Sequence, residues 1–533
     1  MITFDHVTFT YPDASAPALI DADFAVDEGE FFLVVGETGA GKSTLLRAVN
    51  GLVPHFTGGT LLGRVAVDGI STVNPPRELA DRVGVVGQNP TASFVTDTVE
   101  DELAYAMENL GVAPDVMRRR VEDVLDLLGI AALRRRTLGT LSSGEAQRVA
   151  IGSVLTASPR VLVLDEPTSA LDPGAAEDVL AILTRLVDDL GLTVLLAEHR
   201  LERVVQYATR IAVVGADRRL TVGSPVAMMA GAPVAPPVVA LARLAGWTPL
   251  PLSVRDARRA ARPLIERLNS IAPSPRIAPT FGEPVARMTA VAARYGPTDV
   301  LHDVDFSIAR GEIVAVMGRN GAGKSTLLRL LAGLMRPTAG RVAVEGTSPH
   351  ALGASALVRK VGLVPPDPSA LLYERTIASE CSVADHEHRL PAGTTRETLD
   401  RIEAGLDPAR HPRDCSEGQR LALALAVVLA PAPPLILLDE PTRGLDYAAK
   451  ARLSGILHEL AAAGHAVVLA THDVELVAET ATRAVVLADG EIVSDGPARD
   501  VVCHSPVFAP QVAKILAPAE WLTVAEVSAA LAS

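Results

Sequence analysis

The chain has 533 residues, a formal net charge of 49 − 63 = −14, 48% hydrophobic residues and only 3% aromatic ones. This length exceeds the size at which one hydrophobic core stops growing, so we expect two or more domains. The acidic balance argues against a nucleic-acid-binding protein, which would need a basic face. The three cysteines have no CxxC spacing, which predicts neither a disulfide framework nor a zinc site and suits a reducing cytosol.

The N-terminal segment MITFDHVTFTYPD lacks the basic and apolar regions of a signal peptide. The longest apolar stretch, Val226–Ala245, is interrupted by three prolines and Arg243, so it is not expected to span a membrane. We therefore expect a soluble, cytoplasmic protein that reaches a membrane only by docking on it.

Each half of the chain opens with strand-like alternation, at Ile2–Phe9 and Arg287–Ala293. An apolar strand, FFLVV or IVAVM, then leads into a glycine-rich loop, and the loop opens a helix, KSTLLRAV or KSTLLRLLAGL. Helical periodicity follows, for example at Val99–Leu110 and Val121–Leu128, before a Ser-x-Gly motif, a further helix and a buried strand, VLVLDE or LILLDE. This order of elements favours an α/β fold.

The same motifs occur twice in the same order. GETGAGKST at Gly36–Thr44 returns as GRNGAGKST at Gly318–Thr326, and VLVLDEPTSALD at Val161–Asp172 returns as LILLDEPTRGLD at Leu435–Asp446. The offsets are 318 − 36 = 282 and 435 − 161 = 274, so the second copy has the shorter middle. The chain is therefore predicted to contain a duplicated domain.

The glycine-rich loops match GxxxxGK[ST], a pattern whose backbone N–H groups surround phosphates at the N-terminus of a helix. Lys42 and Lys324 would contact the β- and γ-phosphates, and Ser43 and Ser325 would ligate Mg²⁺. The other candidate residues of the two loops are Gly36, Gly39, Gly41, Thr44, Gly318, Gly321, Gly323 and Thr326. Two matches in the same strand–loop–helix setting argue against glycine turns without a ligand.

Two acids end each buried LDE strand. Asp165 and Asp439 are expected to hold Mg²⁺ through water, and Glu166 and Glu440 stand where a carboxylate could polarise an attacking water. Capping of the strand end or of a helix is the structural alternative.

A histidine ends a further apolar strand in each half, His199 in TVLLAEH and His472 in AVVLATH. The carboxyl edge of an open α/β sheet is where ligands bind, so we expect both histidines to contact the γ-phosphate. A buried structural histidine is the alternative.

These motifs resemble, over nearly the whole chain, those of a tandem ATP-binding-cassette (ABC) ATPase. The resemblance implies two P-loop NTPase cassettes, each with a RecA-like core, an N-terminal antiparallel β-subdomain and a helical subdomain, with ATP and Mg²⁺ as cofactors. The expected domains are a first cassette at 1–222, an appendage and Pro/Ala-rich linker at 223–284, a second cassette at 285–500 and a tail at 501–533.

In ABC proteins two cassettes pair head to tail, and the signature motif of one contacts the ATP held by the glycine loop of the other. The implied sets are Ser416 and Gly418 with the Lys42 site, and Ser142 and Gly144 with the Lys324 site. ATP would join the cassettes and hydrolysis would release them.

The same resemblance implies roles for single residues. Tyr11 and Tyr295 match the aromatic residue that stacks on adenine, with a plain strand-end tyrosine as the alternative. Gln88 in VVGQNP matches the Q-loop glutamine, which contacts Mg²⁺ or the attacking water. Asp172 and Asp446 match the D-loop aspartates.

The second half departs from the family pattern because Pro366, in LVPPDP, stands where the first half has Gln88. The signatures depart as well, at Ser143, Glu145, Cys415 and Glu417. A proline side chain neither donates nor accepts a hydrogen bond, so we predict that the Lys42 site and the Lys324 site are functionally unequal.

Among ABC proteins, the segment Gly87–Gly111 and the tail FAPQVAKIL…LTVAEV are similar to ATPases of energy-coupling-factor (ECF) importers. This implies docking at the inner face of the cell membrane, on a transmembrane coupling protein that pairs with a small membrane protein binding a vitamin or metal ion. Contacts are expected near Gln88–Leu110 and Asp367–Ser382, and no nucleic-acid partner is expected.

Two alternatives remain open. One is the ATPase of another fused-cassette transporter, for a sugar or a peptide. The other is an ABC-F-like ATPase that acts on ribosomes, although the linker of those proteins is a highly charged helical arm and the region Gly223–Pro284 is rich in Pro and Ala.

Overall fold

The computed structural model describes residues 1–12, 14–269, 271 and 283–532. The chain divides into two compact units, Met1–Ala260 and Ala261–Ser533. Each unit combines one mostly parallel sheet with one antiparallel sheet and surrounding helices, which confirms the α/β fold class. The finer boundaries at 222, 284 and 500 stay a prediction.

The strands of the first unit include one very short one. They are β1 (Ile2–Thr10), β2 (Leu19–Val26), β3 (Phe31–Gly36), β4 (Thr60–Val67), β5 (Ile70–Ser71), β6 (Val83–Val86), β7 (Val161–Asp165), β8 (Thr193–Ala197), β9 (Arg210–Val214) and β10 (Leu220–Gly223). Its helices are α1 (Lys42–Val49), α2 (Leu52–His55), α3 (Val99–Asn109), α4 (Pro114–Leu127), α5 (Ser143–Leu155), α6 (Pro173–Asp188), α7 (Leu201–Val204), α8 (Pro225–Gly231), α9 (Pro237–Ala245) and α10 (Val254–Ala260).

The main sheet of the first unit has the order β10-β9-β3-β8-β7-β6, in which the pairs between β9 and β6 are parallel. Its strands are continuous apolar runs, because a parallel sheet covered on both faces must be apolar on both. All six residues of β3 are buried. The antiparallel sheet, β2-β1-β4-β5, packs its inward side chains into the same hydrophobic core.

The second unit repeats this plan. Its strands are β11 (Pro284–Tyr295), β12 (Thr298–Ala309), β13 (Ile313–Met317), β14 (Ala339–Val344), β15 (Val361–Val364), β16 (Leu435–Asp439), β17 (Ala466–Ala470), β18 (Arg483–Ala488) and β19 (Glu491–Pro497). Its helices are α11 (Arg262–Leu268), α12 (Lys324–Leu331), α13 (Ala354–Leu357), α14 (Ile377–His388), α15 (Thr394–Ile402), α16 (Glu417–Leu429), α17 (Tyr447–Ala462), α18 (Val474–Thr480), α19 (Ala498–Cys503), α20 (Gln511–Leu516) and α21 (Val524–Ala532).

The second unit's sheets have the orders β15-β16-β17-β13-β18-β19 and β12-β11-β14. In both units the LDE strand lies beside the histidine strand in the same register: Asp165 pairs with Ala197, and Asp439 pairs with Ala470. This register brings the acids and the histidines to one edge of each main sheet.

One helix is shorter than its sequence predicts, and one predicted segment lies partly outside the described residues. The helix predicted to run from Lys324 to Leu334 ends at Leu331, and Gly333 has a left-handed φ of 69° that no longer continues it. Much of the predicted linker lies outside the described residues, since 272–282 are not among them. Within the described part of the chain, every helix is too short or too polar to cross a membrane.

Candidate nucleotide-binding sites

The first glycine-rich loop connects β3 to α1 and closes around its own lysine. The Lys42 ammonium is buried and donates to the carbonyl oxygens of Gly36, at 2.8 Å, and Glu37, at 3.0 Å. Gly41, with φ 111°, precedes the helix, and a Cβ there would lie 2.5 Å from the Ala18 carbonyl oxygen. The loop therefore requires glycine at this point and presents a helix N-terminus and a cation, which suit an anion.

The second glycine-rich loop has the same geometry. The Lys324 ammonium donates to the carbonyl oxygens of Gly318, at 2.8 Å, and Arg319, at 3.1 Å. Gly323 takes a φ of 105° before α12. Both glycine loops therefore have a geometry that suits a phosphate.

The glutamate after each LDE strand has an unusual backbone. Glu166 and Glu440 have φ values of 52° and 50°, in the left-handed region that side chains rarely adopt. Their N–H groups donate to the carbonyl oxygens of Ala197, at 2.9 Å, and Ala470, at 2.8 Å. Such strained positions persist where the surrounding structure holds them, and they concentrate at functional sites.

In the first unit the Glu166 carboxylate is held from two sides. Gln88 Nε2 donates to Glu166 Oε2 at 3.0 Å, and His199 Nε2 lies 3.0 Å from Oε1. Burial by itself raises the pKa of Glu166, but the hydrogen bond and charge of His199, followed by the charge of Lys42, hold it below its usual value. The carboxylate is therefore kept ionised, as a group that accepts a proton must be.

In the second unit Glu440 is held from the histidine side. His472 Nδ1 lies 2.7 Å from Glu440 Oε2. Pro366 follows β15 as Gln88 follows β6, and it has no side-chain atom that could bond to Glu440. The structure thus brings Gln88, Glu166 and His199 together in one unit, and only the two counterparts Glu440 and His472 in the other.

The aspartates fit a divalent cation. Burial raises the pKa of Asp165 and of Asp439, against the opposing hydrogen bonds of Ser43 and Ser325. Asp439 Oδ1 is buried and makes no hydrogen bond among the described residues. A carboxylate oxygen beside a serine hydroxyl is a pair of hard ligands that Mg²⁺ accepts, and a cation would satisfy the orphaned oxygen.

The signature serines begin helices. Ser142 and Ser416 are the N-caps of α5 and α16, and each forms a reciprocal capping box, with Glu145 and with Gln419. The signature glycines follow two residues after the serines. A Cβ at Gly418 would lie 3.1 Å from the Cβ of Ala449, so a larger residue would crowd the next helix.

The D-loop aspartates and the candidate adenine-stacking tyrosines have local partners. Asp172 and Asp446 are the N-caps of α6 and α17. The Tyr11 hydroxyl lies 2.9 Å from Thr44 Oγ1, next to the first loop. Tyr295 is exposed, and its hydroxyl accepts from Arg329 Nη1 at 3.3 Å.

One polar group of the first site was missed by sequence reasoning. Glu198, in AEHR, is buried beside His199, and the hydroxyl of Thr168 donates to its carboxylate. The difference between AEHR and ATHD was the only signal, since the two halves agree in Ala and His and differ in the residue between them.

The chain is similar to known ABC proteins over its full length. The ABC transporter family model matches residues 19–169 and 301–443, which together are more than half of the chain. A predicted ABC transporter ATP-binding protein of Streptomyces avermitilis is 59% identical over 561 aligned residues, covering 100% of both chains. Another, of Methanosarcina mazei, is 33% identical and covers 94% of this chain and 90% of its own.

A solved structure of ribosome-bound archaeal Pelota and ABCE1 shows the same fold. One of its chains matches with a TM-score of 0.64 and 22% identity, over 92% of this chain and 79% of that one. The two glycine loops, the α/β fold and these matches all indicate the same family. The chain belongs to the ABC transporter family, as an ATP-binding protein with two cassettes, and proteins of this kind are ATPases coupled to transport through membrane permease components.

Proposed function

We propose that this ATPase powers an ECF-type importer for a vitamin or a metal ion, docked on the inner face of the cell membrane. The observation that carries the proposal is the segment Gly87–Gly111, which resembles the Q-loop and following helix of ECF ATPases and lines an apolar groove in the first unit. The groove has a volume of about 390 Å³.

The groove offers exposed apolar side chains at a fixed turn. Val95 is 61% exposed and Tyr105 is 37% exposed at its edge. The buried carboxylate of Glu102 accepts hydrogen bonds from the N–H groups of Val95 and Thr96, at 3.0 Å each. An exposed apolar patch held by such a turn suits a helix of a membrane partner.

Replacing Val95 with Asp is expected to reduce recovery of the membrane partner about tenfold or more, because a carboxylate would have to be desolvated in an apolar contact. ATP binding by the purified chain should stay unchanged. Leu190→Asp is the matched control, since Leu190 is 63% exposed and lies outside the groove lining. Equal recovery with both variants would contradict docking at this groove.

For the reaction itself we propose that Lys42 and Lys324 bind the β- and γ-phosphates, and that Glu166 and Glu440 polarise the attacking water. His199 and His472 would contact the γ-phosphate. Mg²⁺ would be held by Ser43, Asp165 and Gln88 in one site and by Ser325 and Asp439 in the other. In both sites it would stabilise the negative charge that develops on the phosphate. Each composite site would be completed by the signature serine and glycine of the opposite cassette.

The signature serines test this pairing, because a cap and a phosphate contact can be separated. Ser416→Ala is expected to lower the free energy of unfolding by about 1 kcal/mol through loss of the cap. Ser416→Asp keeps a good N-cap but points a negative charge toward phosphate, so it should be stable and yet as slow in ATP hydrolysis as Ser416→Ala. Chemical unfolding and ATPase rates measure both effects. Normal turnover in the Asp variant would leave Ser416 as a cap alone.

The importer proposal is tested by affinity purification of the tagged chain from detergent-solubilised native cells, followed by mass spectrometry. We expect a polytopic membrane protein together with a small hydrophobic one, and the small one would indicate the substrate. Recovery of ribosomal proteins without a membrane partner would overturn the proposal in favour of a ribosome-associated ATPase.

A further inference from the structure

Glu198 is buried next to the candidate catalytic residue His199 of the first unit. No role was assigned to it by the motifs described above. Its side chain is 2% exposed. It is adjacent to His199, whose backbone N–H donates to Glu198 Oε2 at 3.2 Å, and its Oε1 accepts from the hydroxyl of Thr168. Residues 198 and 199 therefore hold two points of one loop, since His199 contacts Glu166 and Glu198 contacts Thr168.

A partly buried arginine completes the arrangement from the other side of that loop. Arg203 Nη1 donates to the carbonyl oxygens of Thr168, at 2.9 Å, and Leu171, at 3.3 Å. The loop from Glu166 to Asp172 is thus bonded at its middle both to the histidine segment and to α7. We call Glu198, Thr168 and Arg203 the loop clamp.

The second unit replaces both charged members of the loop clamp. Positions 198 + 273 = 471 and 203 + 273 = 476 hold Thr471 and Leu476, both buried. Thr471 Oγ1 accepts from the N–H of Asp473 at 3.0 Å. A different buried pair lies there, Lys450 with Asp473 at 2.9 Å. Both charged members of the loop clamp therefore have neutral residues at their counterpart positions in the second unit.

We propose that Glu198 is a positioning residue for ATP hydrolysis in the first cassette, where it ties the Glu166–Asp172 loop to His199 and so fixes the Glu166 carboxylate. The inference rests on the proposed role of the Lys42 site. Because the second cassette lacks the loop clamp, the two sites differ in how Glu166 and Glu440 are held, in addition to the difference at Gln88.

The groups around Glu198 have opposing effects on the pKa of its carboxyl. Burial, followed by the negative charge of Glu166, raises the pKa of Glu198 to about 7, while Thr168, Arg203 and His199 oppose that rise. The neighbouring Arg200 is also buried. Near neutral pH the carboxyl can therefore be protonated, and Glu198→Gln supplies a neutral side chain of the same size as that form.

The test uses the full-length chain purified from native cells, with nucleotide trapped by vanadate after turnover of 8-azido-ATP. Photolabelling and peptide mapping then report each cassette separately. Glu198→Ala should lower trapping in the first cassette about tenfold at saturating ATP, with an unchanged KM for ATP, because a misplaced base slows the reaction without weakening binding. Glu198→Gln should restore most of it, and trapping in the second cassette defines the internal reference.

The double variant Glu198→Thr with Arg203→Leu copies the second cassette. It should lose at least as much first-cassette turnover as Glu198→Thr alone, because Arg203 also holds the loop, through the carbonyl oxygens of Thr168 and Leu171. Equal losses in the Ala and Gln variants, or a rise in KM that accounts for the loss, would overturn the inference. Absence of label on the first cassette of the unsubstituted chain would contradict the proposed Lys42 site itself, and the inference with it.

Discussion

Lys42→Ala is expected to lower coupled ATP hydrolysis by about 10²–10³-fold, the loss that follows removal of one preorganised charge-stabilising donor. Lys324→Ala should lower it less. The reason is the difference in the two carboxylates: Glu166 is held by Gln88 and His199, whereas Pro366 cannot bond to Glu440. The first site should therefore carry most of the turnover.

The measurement is the ATPase rate of each variant in the presence of the membrane partner, with transport followed in parallel. Lys514→Ala, in helix α20 and outside the sequence of either glycine loop, is the control for loss of a lysine charge. Equal losses of hydrolysis and transport in the Lys42 and Lys324 variants would leave the asymmetry without support.

The glycine loops and the LDE strands could be predicted because each is a contiguous pattern with its own local structure. A strand, a glycine that must adopt a positive φ and a helix start are all encoded within nine residues, as at Gly36–Thr44. The register of Asp165 beside Ala197 follows from the parallel sheet, so the meeting of Glu166 and His199 could also be expected.

The contacts that could not be predicted join residues far apart in sequence through side-chain geometry. Thr168 and Glu198 are 30 residues apart, and nothing in their local pattern pairs them. Glu102 reads as one acid among several on a solvated helix, yet it is buried and holds the turn at Val95. Burial of a charged group depends on the whole core, which short motifs do not encode.

The same limit explains the signature motif. The sequence indicates a serine at a helix start, and the structure shows that its hydroxyl already accepts from the N–H of Glu145 or Gln419, at 3.3 Å in each case. A serine oxygen can still contact a ligand through its own hydrogen. The same hydroxyl oxygen would therefore cap the helix and contact the ligand, and a motif match cannot separate these two roles.

Glu166→Gln is expected to lower ATP hydrolysis by about 10²–10⁴-fold while ATP binding is retained, since the amide keeps the size of the side chain but cannot accept the proton of the attacking water. His199 would lose its ionic partner at 3.0 Å, although an amide oxygen can still accept from the ring. Bound ATP should therefore accumulate unhydrolysed, which a filter-binding assay with radiolabelled ATP measures beside the rate of phosphate release.

Glu440→Gln provides the comparison within the same chain, and Glu177→Gln, exposed on α6, provides the charge-matched control. If the Gln88 contact makes Glu166 the better-placed base, the Glu440 variant should keep a larger share of the rate than the Glu166 variant. A Glu166 variant that hydrolyses ATP normally would assign the proton transfer to another group, and a Glu440 variant that is the slower of the two would reverse the order of the sites. The carboxylates are the sharpest probe of this order because the substitution changes one oxygen to one nitrogen and leaves the glycine loops, their lysines and the capped helices as they are.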